Sequence, residues 1–157
     1  MLRWLWLSLL VVGLDQFTKQ LVEAHFYLSE NVELLPFLNF TLAYNQGAAF
    51  NFLSDQGGWQ RGFFIAVALV VTLILAGWLR RLRRGEWRTA LSLSLIIGGA
   101  VGNLIDRVLH GYVIDFIDVH YGSWHWPAFN VADSAICVGV VLLLLDALFD
   151  KSETSDS

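Results

Sequence analysis

GFFIAVALVVTLILAGWL, residues Gly62–Leu79, runs for eighteen positions without a charge and is followed at once by RRLRRGEWR, residues Arg80–Arg88. A helix that crosses a bilayer needs about 20 mainly apolar residues, with a lower limit of about 17. Basic residues in short loops stay on the cytoplasmic side. The stretch therefore reads as a membrane span that ends inside. Working outward, three further apolar segments appear: Leu2 to about Val22, Ala90–Ile105 and Val131–Phe149. The first is interrupted by Asp15 and Lys19, and the third needs its polar ends to reach spanning length. The fourth carries Asp133 near its start and Asp146 near its end. The expectation is an all-α integral membrane protein with four transmembrane helices and both termini cytoplasmic. Arg3 and Lys151 agree with that orientation. Met1–Gly13 has the look of a signal peptide, but no small-residue cleavage site follows, so it is read as a retained first helix.

Composition supports the same class. Of 157 residues, 56% are hydrophobic and 15% charged, with mean hydropathy +0.56, whereas soluble domains carry about a quarter charged residues. One domain is expected over residues 1–150, with a disordered cytoplasmic tail at 151–157. No basic stripe occurs outside the Arg80–Arg88 loop, which argues against nucleic acid. Cys137 is the only cysteine and lies in an apolar run, where it reads as a buried small hydrophobe. His25, His110, His120 and His125 lack tight metal-ligand spacing, and Ser134 has no evident base.

The segments Ala24–Arg61 and Asp106–Asn130 are then on the outer side. In the first, PFLNFTLAY (Pro36–Tyr44) alternates Leu38, Phe40, Leu42 and Tyr44 with Phe37, Asn39, Thr41 and Ala43, the period of a strand. A small β element on the outer surface is expected. Trp59, Trp78, Trp87, Trp124 and Trp126 fall near segment boundaries, as an aromatic belt would.

Depth along the helices selects the candidate residues. At about 1.5 Å per residue, Asp15 and Asn103 each lie roughly 20 Å above the cytoplasmic end and Asp133 roughly 25 Å. Asp115 reaches the same level if the chain turns at Gly111. Carboxylates near hydrocarbon are costly and mark function. Two at one depth can share a proton, one taking a proton from water while the other donates to a peptide carbonyl. Asp115 and Asp133 are the candidate catalytic pair. Asp133 equally suits a helix N-cap or first turn, and position alone leaves both readings open. Asn45, Asn103 and Asn130 could orient the pair or bind a peptide backbone, and Asn45-Gln46-Gly47 also reads as a turn. Arg107 could bind a lipid phosphate or an aspartate, or snorkel to the interface. Asp15 is favoured as a structural partner of Lys19 at i,i+4. Asp118 is expected to be solvated, and Gly98, Gly99 and Gly102 to allow close helix packing. A proton-coupled transporter would also use intramembrane carboxylates, but the inner halves of the second and third segments hold none.

At these residues the chain resembles lipoprotein signal peptidase, or signal peptidase II. The matching pieces, in order, are Asp15-Gln16 with Lys19, then Asn45-Gln46-Gly47-Ala48-Ala49-Phe50, Gly102-Asn103-Leu104-Ile105-Asp106-Arg107 with Val113-Ile114-Asp115-Phe116, and Phe129-Asn130-Val131-Ala132-Asp133-Ser134. The resemblance implies a membrane aspartyl endopeptidase of the bacterial cytoplasmic (inner) membrane. Its substrates would be prolipoproteins with a lipobox, whose cysteine already carries a diacylglyceryl group. The cut would fall on the amino side of that cysteine, near the periplasmic face. The family's catalytic aspartates fall on Asp115 and Asp133. Site-lining positions fall on Asn45, Asn103, Arg107 and Asn130, and a more structural one on Asp15. The resemblance implies no metal or organic cofactor. Membrane lipids are the other expected partners, and a monomer is the expected working form.

Overall fold

The computed structural model describes residues 1–47 and 59–153. Residues 48–50 of the Asn45–Phe50 motif and the last four tail residues lie outside that range. Four long helices dominate: α1 (Leu5–His25), entered through a short 3-10 turn at Leu2–Trp4, α2 (Trp59–Arg81), α3 (Trp87–Leu109) and α4 (Val131–Glu153). The last continues past Lys151, into residues assigned to the tail from sequence. By length and composition α2, α3 and residues Val131–Phe149 of α4 can cross a membrane. The chain is a multi-pass membrane protein.

α3 is the hub and packs against α1, α2 and α4. Its glycines explain how. A Cβ on Gly98 would lie 2.8 Å from Val11 Cβ of α1, one on Gly99 would collide with the Ala132 carbonyl of α4, and one on Gly102 would lie 2.6 Å from the Asp15 carboxylate. Lipid is as apolar as leucine, so close van der Waals contact and buried hydrogen bonds hold such helices together. One such bond is donated by Ser8 Oγ to the Ser94 carbonyl, at 2.7 Å. Leu79, Ala90, Leu93 and Ile97 form an apolar cluster joining α2 to α3. The rest of α2 presents Val70, Leu73 and Ile74 outward. Cys137 is exposed on α4 and not buried as its apolar surroundings suggested. In a bilayer an apolar run faces lipid as readily as core, so hydrophobicity does not imply burial.

At the opposite end from the Arg80–Arg88 loop, four strands form one antiparallel sheet in the order β1 (Asn31–Leu35), β2 (Leu38–Asn45), β3 (Val113–Tyr121) and β4 (Trp124–His125). The strand expected around Pro36–Tyr44 is β2, paired with β1 across a tight turn at Pro36-Phe37. Gly111, at φ +87°, makes the turn from α3 into β3. Arg61 of α2 braces that turn by donating from Nη2 to the Val108 carbonyl, at 2.8 Å. One face of β3 places Ile114 and Phe116 against Leu42 and Val22, which seats the sheet on the end of α1. Asp118 follows on that face. It is buried, not solvated as expected, and accepts from Asn39 Nδ2 at 3.0 Å and pairs with His125 Nδ1 at 2.9 Å. Its partner Asn39 arrives from a strand 79 residues away in sequence.

Candidate active site

A β-bulge aims the first component. Phe40 pairs with Ile117, but Ala43 pairs with Asp115, so β2 carries one extra residue between them. The extra residue reverses the face that follows. Asn39 thus shares the Asp118 face, whereas Asn45, opposite Val113, shares the Asp115 face. Asn45 Nδ2 donates to Asp115 Oδ2 at 3.0 Å. Its own Oδ1 accepts from the Gly47 backbone N–H at 2.8 Å, an Asx turn. Gly47 holds φ +103°, and a Cβ there would collide with the Phe64 ring of α2. Asn45 thus makes the turn and also meets the Asp115 carboxyl group.

Asp133 likewise caps a helix and meets the amides around Asp115. Asn130 is the N-cap of α4. Its Oδ1 accepts from the Asp133 N–H at 2.9 Å, and Asp133 Oδ2 accepts from the Asn130 N–H at 3.2 Å. This is a reciprocal capping box. Asp133 Oδ1 remains, and accepts from Asn103 Nδ2 at 2.7 Å. Asn130 Nδ2 points the other way, to Asp115 Oδ1 at 2.7 Å and Asn103 Oδ1 at 3.2 Å. Asp115 and Asp133 are therefore linked through two side-chain amides.

The amide orientations are forced by partners that can only donate. A backbone N–H faces the Oδ1 of Asn45 and of Asn130, and the Lys19 ammonium faces Asn103 Oδ1 at 2.9 Å. Each asparagine must then turn its NH₂ toward a carboxylate.

Lys19 anchors the floor of the site. It is 1% exposed and spends its three N–H groups on Asn103, on Asp15 Oδ2 at 2.7 Å and on Asp106 Oδ2 at 2.8 Å. The i,i+4 pairing of Asp15 with Lys19 is as the spacing predicts. Asp15 Oδ1 also accepts from the Ala132 N–H at 2.9 Å, so a residue of α1 caps α4. Asp106 takes Gln16 Nε2 at 2.7 Å and the Ile114 N–H at 3.2 Å. Sequence reasoning passed over Asp106 and Gln16 as members of this network. Their spacing along α1 and α3 was available, but no short-range pattern pairs residues about 90 positions apart.

Arg107 stands at the rim. Its guanidinium lies 5.2 Å from the centre of the Phe64 ring, a cation–π contact. Nη1 donates to the Asn103 carbonyl at 3.4 Å, and buried Nε has no partner among the described residues. It makes no ion pair with an aspartate there. Asp115 itself is 2% exposed. Burial, and secondly the negative charge of Asp133, push its carboxyl up to about 7, against the opposing pull of the Asn45 and Asn130 amides. A carboxyl group raised this far is protonated in about half of the molecules at pH 7 and can give up its proton near neutrality, as acid–base hydrolysis requires.

Known proteins of one family are similar to this chain. The family model described as "Signal peptidase (SPase) II" matches residues 7–149. The lipoprotein signal peptidase of Shewanella woodyi is 56% identical over 147 residues, covering 94% of this chain and 84% of that protein. The lipoprotein signal peptidase of Shewanella sp. strain MR-4 is 52% identical over 155 residues, covering 99% and 91%. A bacterial membrane enzyme solved by the in meso method superposes with a TM-score of 0.85 at 33% identity, covering 96% of this chain and 90% of that one. With the family model matched over residues 7–149 and relatives of more than 50% identity along almost the whole chain, the chain belongs to the signal peptidase II family of aspartyl peptidases.

Proposed function

We propose that this protein removes signal peptides from diacylglyceryl-modified prolipoproteins, cutting on the amino side of the lipidated cysteine, with Asp115 and Asp133 as the catalytic pair. The observation that carries the reading is the pair's environment. Two carboxyl groups are joined by Asn130 and Asn103 and, among the described residues, receive only neutral amide and backbone donors. In the proposed cycle Asp115 keeps the proton and Asp133 is ionised. Asp133 takes a proton from water as the water oxygen attacks the scissile carbonyl carbon, and Asp115 gives its proton to the carbonyl oxygen. Collapse of the resulting diol returns one proton to Asp115. Asp133 gives the proton it took from water to the leaving amine, now the free N-terminus of the lipidated cysteine, and is ionised again.

In this reading all four helices span the bacterial cytoplasmic membrane, both termini are inside, and the pair lies near the periplasmic face. The Arg80–Arg88 loop supports the orientation. The pair lies at the other end of α3 and α4, where a signal helix with a lipid-bearing end presents its scissile bond. Arg107 and the β2 edge then hold the peptide beside the pair. Residues 1–150 work as one domain, in a monomer.

The test is cleavage of a purified diacylglyceryl-modified prolipoprotein, followed as a gel shift with a chelator present. Wild type should cleave, while Asp115→Asn and Asp133→Asn should each lose about a thousand-fold or more. Turnover surviving in either folded variant, or abolished by the chelator, would overturn the mechanism.

A further inference from the structure

We infer that the groove between α3 and α4 at the Arg80–Arg88 end holds one zwitterionic phospholipid with a primary-amine headgroup, its phosphate on Arg88 and its ammonium on Asp146. The groove is a cavity of about 530 Å³ lined by Trp87, Arg88, Leu91, Leu142, Asp146 and Phe149, with Leu145 alongside. A smaller polar cavity of about 210 Å³ shares Trp87, Arg88 and Asp146 and extends to Gly85, Glu86 and Thr89. Polar and apolar parts thus meet at one end of the bundle, as headgroup and acyl chain do in a lipid.

The charges identify the headgroup. Arg88 and Asp146 line the same cavity, yet among the described residues they form no ion pair with each other or with any third residue. Arg88 is held over the Trp87 ring, 5.6 Å from its centre. Asp146 Oδ2 accepts from Thr89 Oγ1 at 2.7 Å, which fixes the carboxylate and leaves Oδ1 available. A cation and an anion that line one cavity and do not satisfy one another suit a ligand carrying both signs. A phosphate meets guanidinium geometry. An ammonium can donate a hydrogen bond to Asp146, whereas a quaternary amine cannot. A purely anionic headgroup would meet Asp146 as a like charge. The depth fits as well: Asp146 is thirteen residues beyond Asp133 on α4, about 20 Å along the axis. Trp87 marks the interface at that level. Leu91, Leu142 and Leu145 continue the groove toward the hydrocarbon.

The inference concerns the far end of the bundle and stands whether or not the proposed catalytic pair is correct. It is tested by native mass spectrometry of the full chain, titrated with dioleoyl phosphatidylethanolamine, phosphatidylcholine and phosphatidylglycerol. Wild type should retain one phosphatidylethanolamine about five-fold more tightly than either other lipid. Asp146→Asn should erase that preference, and exposed Arg88→Gln should weaken all three. Equal retention of the three lipids by wild type would overturn the proposal, as would an unchanged profile in Asp146→Asn. A two-chain species that lipid displaces would assign the groove to a second copy instead.

Discussion

Two pairs of aspartates lie side by side in this protein and live in opposite environments. Asp15 and Asp106 share the Lys19 ammonium, at 2.7 and 2.8 Å. Asp115 and Asp133 receive amide and backbone N–H groups and, among the described residues, no cation within ion-pair distance. Both pairs are hydrogen-bonded, but among the described residues only the first is in direct contact with an ammonium. The difference teaches how one residue type supplies both frame and chemistry. An ammonium at ion-pair distance from two carboxylates fixes them in place and joins α1 to α3. Neutral amides fix the position of a carboxyl group while leaving it a proton to give. Asn103 connects the two systems, with its oxygen on Lys19 and its nitrogen on Asp133.

Removing the cation breaks the first pair most severely. Lys19→Met should leave two buried carboxylates without a counter-charge, at a cost of about 3–5 kcal/mol. Thermal unfolding in detergent checks this, and an unchanged midpoint would remove Lys19 from the frame. Cutting the link between the pairs should cost less. Asn103→Leu deletes a hydrogen bond to a carboxylate worth about 1.5–3 kcal/mol, so turnover should fall about 10- to 100-fold. Full activity in that variant would mean that Asp133 is held by its capping box alone.

The smallest effect sharpens the second pair. Because Asp115 is pushed up to about 7, its proton is present below that pH and lost above it. Turnover should therefore decline on the alkaline side of about 7. The Asn45 amide favours the ionised form and lowers the value. Asn45→Ala should then shift the alkaline limb upward, by up to about one unit. A downward shift in kcat against pH would contradict the proton assignment. The two groups titrate as a coupled pair, so the limb reports both together.

Particular residues show how far the sequence could be read. Gly62–Leu79 announced a helix because an uncharged run of that length has few other uses. Asp15 with Lys19, and Gly98 with Gly102, were legible because helical spacing is local and regular. β3 was not recognised as a strand: Val113–Phe116 is buried throughout, so VIDF has no alternation to detect. The alternation in β2 was visible, but its bulge was not, since a bulge exists only relative to a partner strand. Asp118 was misjudged for the same reason, and Cys137 because an apolar helix face can meet lipid.

The amino-acid sequence by itself determined the membrane class, the helical segments, the candidate residues and the family. All of these depend on composition, short spacings or ordered motifs. Only the tertiary structure decided which carboxylates meet an ammonium and which meet amides. It alone turned Asn45 toward Asp115, through one extra residue in β2, and brought Lys19 to Asp106. Those outcomes depend on contacts between distant segments, where a shift of one residue in register exchanges one face of a strand for the other.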